Sequence, residues 1–397
     1  MVAGWLLARA GVDVTVLEKH RDFLRDFRGD TIHPSTLEMM YELGVLDEFL
    51  ALPHTRQERI GIDLGGTRVA GPDFRHVPAH CKFIAFMPQW DFLRFVEQQA
   101  KRYPSFHLRM QTEATGVVSD AEGVVGVRTT KGEIRSLLVL GADGRRSVIR
   151  EGLPLRELSV PIDVLWMRLP RRPSDGDALF GTLRADQFLV MIDRGDYWQC
   201  AYLIRKGSFD ALKEAGLPAF RARLAAIAPV LADRVDALTS WDDLKLLSVT
   251  VDRLVRWWRS GLLCIGDAAH AMSPVGGVGI NLAIQDAIAA ANALWRPLRD
   301  GMVPDHVLAG IQRRRSLMTA VIQRIQTTLH EKLLAPLLAG HGEDAVRDMR
   351  RVISLPFVPR LMARTVGVGF RREHVRSPEM PFGPTSAAQE DHQHPAL

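Results

Sequence analysis

Cysteine is scarce, with three in 397 residues, at positions 81, 200 and 264. An odd, widely spaced set builds no disulfide framework, matches no zinc-ligand spacing and contains no C-x-x-C pair. The chain therefore reads as cytoplasmic, with no metal and no dithiol chemistry. Long hydrophobic runs are missing as well. None reaches the roughly 18–20 residues of a spanning helix, so no stable membrane insertion is expected. Charge of one sign is thin: Lys+Arg 51 against Asp+Glu 46 leaves +5, spread along the chain. That suits an anionic cofactor or substrate and gives no basic block for a nucleic-acid partner. What is present is ordinary: 47% hydrophobic and 24% charged residues, enough length for two or three packed units, and no internal repeat.

The first informative segment is Met1–Gly11, which lacks a signal peptide's basic leader and reads as a helix body ended by Gly11. The strand Val12–Leu17 follows, and Glu18 stands at its end. A helix feeding a strand that ends in an acid forms the second half of a dinucleotide-binding βαβ unit. There the acid accepts hydrogen bonds from an adenosine ribose. The first half, a strand with a G-x-G-x-x-G turn, is not in the given sequence and is expected ahead of Met1. Gly4 is then the small residue that lets the helix lie on the sheet.

Further along, a polar basic loop at 25–34 carries Arg28 and precedes a helix from about Ser35 to Leu43. Gln89–Ala100 has helical spacing, and 124–140 reads as a hairpin running into Gly141-Ala-Asp143-Gly144. The stretch 160–252 is rich in strands, with a helix near 208–229. The chain is mostly helical after 282.

The densest chemistry lies at 261–286. Gly261-Leu-Leu-Cys-Ile-Gly266-Asp267 is a buried strand delivering an acid to its C-terminal end, the edge where open α/β sheets bind ligands. Ser273-Pro274-Val-Gly276-Gly277-Val-Gly279-Ile280-Asn281 then opens a long helix, whose free N–H groups attract negative charge. The glycines let backbone approach a flat ring, and Asp267 can accept from a ribityl hydroxyl. Read one at a time, these residues also suit structural duties. Asp267, Gln89 and Asn281 can cap helices, Asp143 can sit in a turn, and Arg28 can be a solvated loop charge. His270 suits turn packing better than general-base work.

Together these motifs resemble the FAD-dependent monooxygenases of the para-hydroxybenzoate hydroxylase superfamily, the single-component aromatic hydroxylases. The resemblance runs from Met1 to about Arg299 on Glu18, the Arg28-Gly29 loop, Gln89, the Asp143-Gly144 segment and the Gly266-Asp267 to Asn281 segment, in order. It implies an α/β Rossmann-like FAD-binding domain (1–59, 83–158 and 253–300) and an inserted α+β substrate domain (60–82 and 159–252). C-terminal helices at 301–375 and a disordered tail at 376–397 complete the expected organisation. By the same resemblance Glu18 would hold the adenosine ribose, Arg28 the pyrophosphate side and Gln89 another part of FAD. Asp143 would serve FAD and NAD(P)H, and Asp267 the ribityl chain. Pro274, Gly276, Gly277, Gly279, Ile280 and Asn281 would lie along the isoalloxazine. The implied reaction uses NAD(P)H as cosubstrate and O2 to hydroxylate an aromatic or related small organic substrate through a flavin C4a-hydroperoxide. Two other readings stay open: a noncatalytic flavin-binding relative, and a halogenase, for which no G-W-x-W-x-I-P string is present.

The substrate pocket is less legible. Trp198, Cys200 and Tyr202 share one face of a strand, and Phe188 repeats the period next to it, so these four are the pocket candidates. They suit plain sheet–helix core equally well. Near the end, Pro356–Arg372 mixes apolar and basic residues in the manner of a membrane-surface anchor. Its prolines and glycines interrupt the helix, and a segment folded back on the flavin domain is expected instead.

Overall fold

The computed structural model describes residues 1–24, 31–176, 181–184, 186–369 and 371–380. Its first helix, Val2–Arg9, buries Trp5, Leu6 and Leu7. A Cβ on Gly4 would stand 2.5 Å from Val16 Cγ2, so only glycine lets this helix touch the strand beneath it. That strand, Val14–Leu17, runs parallel to Phe106–Arg109. A second parallel pair joins Val139–Gly141 to Leu262–Cys264, with Gly141 opposite Cys264. Helix Gly279–Arg299 packs on both the first helix and helix Asp305–Leu329. Its buried run Ala289, Ala290 and Ala291 keeps those approaches close. Trp5, Phe95, Trp257, Leu263 and Ile288 belong to one apolar core that unites these layers.

A seven-stranded sheet makes up the other half. Its order is Lys245–Ser248, Ile162–Pro170, Tyr197–Arg205, Gln187–Asp193, Gly181–Arg184, Arg59–Leu64 and Thr67–Asp73. Most neighbours are antiparallel, but Gly181–Arg184 and Arg59–Leu64 pair in parallel and so bring strands from distant parts of the chain together. One face packs on helix Leu217–Ile227, with Phe220 and Leu224 in the shared core. The other meets Leu333, Leu334, Leu337 and Val275. The single helix expected near 208–229 is two, Phe209–Glu214 and Leu217–Ile227, because Gly216 at φ +88° breaks the path.

Helix Asp305–Leu329 runs into a π-helical turn at His330–Leu334. The segment after 356 folds back, but helix Val358–Gly367 lies chiefly on strand Thr67–Asp73, in the stretch 60–82 expected for the substrate domain and not the flavin domain. The expected disordered tail begins too early. Met380 N–H donates to Arg9 O at 2.9 Å, and Ser377 N–H to Asn292 Oδ1 at 2.9 Å, so 376–380 is anchored backbone. Residues 381–397 lie outside the described residues. Among the described residues no helix is long and apolar enough to cross a membrane.

Candidate functional site

The parallel pair Val139–Gly141 and Leu262–Cys264 points both of its C-terminal ends the same way, and each end carries an aspartate. Asp143 is spent locally: its Oδ2 accepts from Val148 N–H at 2.8 Å and Ile149 N–H at 3.2 Å, closing the turn that follows the strand. Asp267 sits in the short turn Gly266–Ala268 and keeps a partly open carboxylate, 35% exposed. Arg145 Nε donates to its Oδ2 at 3.2 Å, while Arg145 Nη2 donates to Met272 O at 2.8 Å. Arg150 braces the arrangement from behind. It donates to Arg145 O at 2.7 Å and Ala268 O at 3.3 Å, and pairs with buried Asp252.

The glycine-rich loop comes next. Gly276 and Gly277 take φ of +84° and +61°, a region disfavoured for side-chain-bearing residues. A Cβ on Gly277 would lie 2.6 Å from Thr31 Oγ1, whose hydroxyl donates to Gly277 O at 3.1 Å. Asn281 ties the start of the long helix to the segment after the Arg28 loop. Its Oδ1 accepts from His33 N–H at 3.1 Å and Thr36 O–H at 2.8 Å, and its Nδ2 donates to Thr31 O at 3.2 Å. Pro274, Gly276, Gly277, Gly279 and Ile280 line the open side of this loop, half-buried or exposed.

The helix opening there, Gly279–Arg299, has 21 residues and no side-chain cap at Val278, so its first-turn N–H groups remain available. A Cβ on Gly279 would lie 3.9 Å from Asp267 Oδ1. A free helix N-terminus therefore adjoins a carboxylate acceptor behind a glycine face. This combination fits a flavin: the amides can face the anionic pyrimidine edge, and Asp267 can take a ribityl hydroxyl.

The remaining candidates are more dispersed. Glu18 follows strand Val14–Leu17, donating its N–H to Arg109 O at 3.0 Å and accepting His20 N–H on Oε1 at 2.9 Å. It thus stands on a different strand pair from Asp267. Gln89 is the first residue of helix Gln89–Ala100. Arg28 lies outside the described residues.

Three of the four pocket candidates need correcting. Trp198, Cys200 and Tyr202 are almost fully buried in the core shared with helix Leu217–Ile227, on the side of the sheet away from Val275. Trp198 Nε1 donates to Asp175 at 2.9 Å, and Tyr202 meets Phe220 edge-on with centroids 5.3 Å apart. Only Phe188 lies on the side with Val275. Strand Tyr197–Arg205 is buried on both faces, so alternation of apolar residues could not reveal which face looks at the loop.

Sequence reasoning also missed the support behind the loop. Ser273 Oγ and His330 Nε2 are 2.9 Å apart, and Gln326 Nε2 donates to Ser273 O at 3.0 Å and Val275 O at 2.9 Å. Burial pushes His330 down to about 4, which keeps it neutral at ordinary pH. His270 is fully buried, its Nε2 2.5 Å from Asp286 Oδ2. Nothing in the spacing announces that Ser273 meets Gln326 and His330, or that His270 meets Asp286.

The family model described as an FAD binding domain matches residues 1–325, well over half of the chain. The chain belongs to this family of FAD-dependent monooxygenases. Its relatives include 6-methylpretetramide 4-monooxygenase of Streptomyces rimosus, 30% identical over 94% of this chain and 90% of that protein. Dialkyldecalin synthase of Streptomyces rugosporus is 26% identical over 82% of this chain and 70% of that protein. The crystal structure of pqsL, a probable FAD-dependent monooxygenase from Pseudomonas aeruginosa, shares the fold. Its TM-score is 0.72 at 22% identity, over 87% of this chain and 96% of that one. The family places this chain among oxidoreductases that bind FAD.

Proposed function

We propose that the protein hydroxylates an aromatic or related small organic substrate, using FAD, NAD(P)H and O2. The observation that carries this reading is the Asp267 carboxylate beside the uncapped helix Gly279–Arg299, with Val275 of the same loop packed toward the apolar sheet face of Phe188, Val190 and Leu203.

In this reading the Asp267 carboxylate accepts from the ribityl chain, and the first-turn amides of Gly279–Asn281 face the pyrimidine edge of the ring. Glu18 takes the adenosine ribose, with Gln89 and Arg28 along the rest of the cofactor and Asp143 shaping the adjoining turn. Bound FAD supplies the activation of O2, with NAD(P)H as reductant. The sheet face contributes exclusion of water and a flat apolar wall against which an aromatic ring is held. Trp166, Ala201, Val190, Gly181 and Ile62 form one row across that wall by strand register, and the Phe188 ring lies against the face of Gly181. The relative whose name states action on 6-methylpretetramide supports an aromatic substrate class. Three free, buried cysteines suit a reducing cytoplasm.

Bleaching of the bound flavin by NADH or NADPH under anaerobic conditions tests the reductive half of the proposal. Bleaching that an aromatic substrate accelerates supports it. A flavin inert to both nicotinamides would overturn it.

A further inference from the structure

We infer that Glu373 is a positioning residue for the flavin site, holding the Gly266–Asp267 turn from behind through Arg315 and Asp286. The inference rests on the FAD-binding reading above. It concerns a residue beyond the segment 1–325 that the family model matches.

The chain of contacts begins at the turn itself. Asp286, two turns into helix Gly279–Arg299, is fully buried. Its Oδ2 accepts the Gly266 N–H at 3.1 Å and lies 2.5 Å from His270 Nε2. Asp286 thus grips the turn on both sides of Asp267. The turn packs directly on the helix, since a Cβ on Gly266 would lie 2.9 Å from Ala283 Cβ. On its other oxygen Asp286 accepts from Arg315 Nε at 2.8 Å.

Arg315 is 1% exposed and divides its charge between two carboxylates, with Nη1 3.4 Å from Glu373 Oε1. Glu373 also accepts from Arg314 Nε at 2.7 Å, and its own N–H donates to Gln285 Oε1 at 2.5 Å. Asp286 and Glu373 against Arg314 and Arg315 make a charge-balanced set of four. A buried guanidinium that loses one carboxylate leans harder on the other. Without the Glu373 charge, Arg315 competes with Gly266 N–H for Asp286, and the turn that presents Asp267 loses its fixed geometry.

The same C-terminal segment is tied at its far end by Glu379, which accepts from Tyr103 O–H at 2.7 Å and Arg9 Nη2 at 3.3 Å and touches none of these four ions. Glu379→Gln therefore loosens the segment without altering the network. The test is FAD titration of the apoprotein by flavin fluorescence, with visible circular dichroism of the flavin at saturation. Glu373→Gln should weaken FAD binding about tenfold and change the dichroism, whereas Glu379→Gln should do neither. Asp286→Asn should weaken binding further if it folds; Glu373→Gln carries the test if it does not. Wild-type affinity and dichroism in Glu373→Gln, with only a lower melting temperature, would overturn the inference and leave the FAD reading intact. Failure of the parent protein to bind FAD would overturn both.

Discussion

Phe188 and Cys200 lie on adjacent strands of the seven-stranded sheet and face opposite sides of it. Phe188 pairs with Leu203, whereas Cys200 pairs with Met191 three positions along, an odd step that reverses the face. The sheet therefore has a loop-facing wall and a separate core under helix Leu217–Ile227.

Substitutions on the two sides should act differently. Trp198→Ala removes a side chain only 1% exposed and the donor to Asp175, and should cost about 3–5 kcal/mol in denaturant unfolding. Phe188→Ala, half-buried, should cost less stability yet shift aromatic ligand affinity, read from perturbation of the bound-flavin spectrum. A larger ligand effect from Trp198→Ala than from Phe188→Ala would reverse the assignment of faces.

The contrast shows what the sequence could convey. The Gly266-Asp267 turn and the glycine loop are local in sequence, so spacing alone reveals the strand, the acid and the helix start. The helix at Gln89–Ala100 and the hairpin at 124–135 are legible for the same reason. The sides of the sheet depend on partners far away, since Val275 and Leu333 define one and Phe220 the other. A strand buried on both faces carries no periodic trace of that choice. The Ser273–His330 and Asp286–Arg315–Glu373 contacts join residues 29 to 58 positions apart and leave no motif.

Asp267→Ala removes the acceptor beside the helix N-terminus and leaves Arg145 with Met272 O alone. Loss of a hydrogen bond to a charged group costs about 1.5–3 kcal/mol, or roughly ten- to a hundredfold in FAD affinity. The variant should purify largely colourless while keeping its far-ultraviolet circular dichroism. Full yellow occupancy at ordinary FAD concentrations would remove Asp267 from the site.

The loop glycines should separate into two kinds. Gly277→Ala forces a Cβ into a left-handed backbone and to 2.6 Å from Thr31 Oγ1, and should cost about 1–3 kcal/mol of stability. Gly279→Ala meets nothing closer than 3.8 Å, so its melting temperature should match the parent. Its FAD affinity should nonetheless fall, because the added methyl occupies the face reserved for the ring. Equal effects of both variants on melting temperature would contradict this distinction.

Acid should weaken the fold before its carboxylates titrate. Burial pushes His33 and His330 down to about 4, whereas the unfolded chain takes up these protons near 6.5. The unfolded state then binds more protons between those values, so the stabilisation is complete above pH 6.5 and is lost as pH falls toward 4. For fully buried His33 the loss approaches about 3 kcal/mol, and for His330 it is smaller. Asp286 adds a further loss below 3.8, since His270 and Arg315 outweigh its burial and hold it down at about 2. Urea midpoints across this range, compared between the parent and His330→Gln, check the sign. The variant should show the flatter profile, and an unchanged slope would exclude His330 as a source.

The most direct test of the account is isotopic. The purified protein, loaded with FAD and supplied with NAD(P)H and a panel of phenolic and polycyclic aromatic substrates, is allowed to turn over under 18O2. The account predicts a hydroxylated product carrying one atom of 18O, formed in step with nicotinamide oxidation and abolished in Asp267→Ala. A product whose new oxygen comes from water, or one formed without nicotinamide oxidation or oxygen uptake, would contradict it.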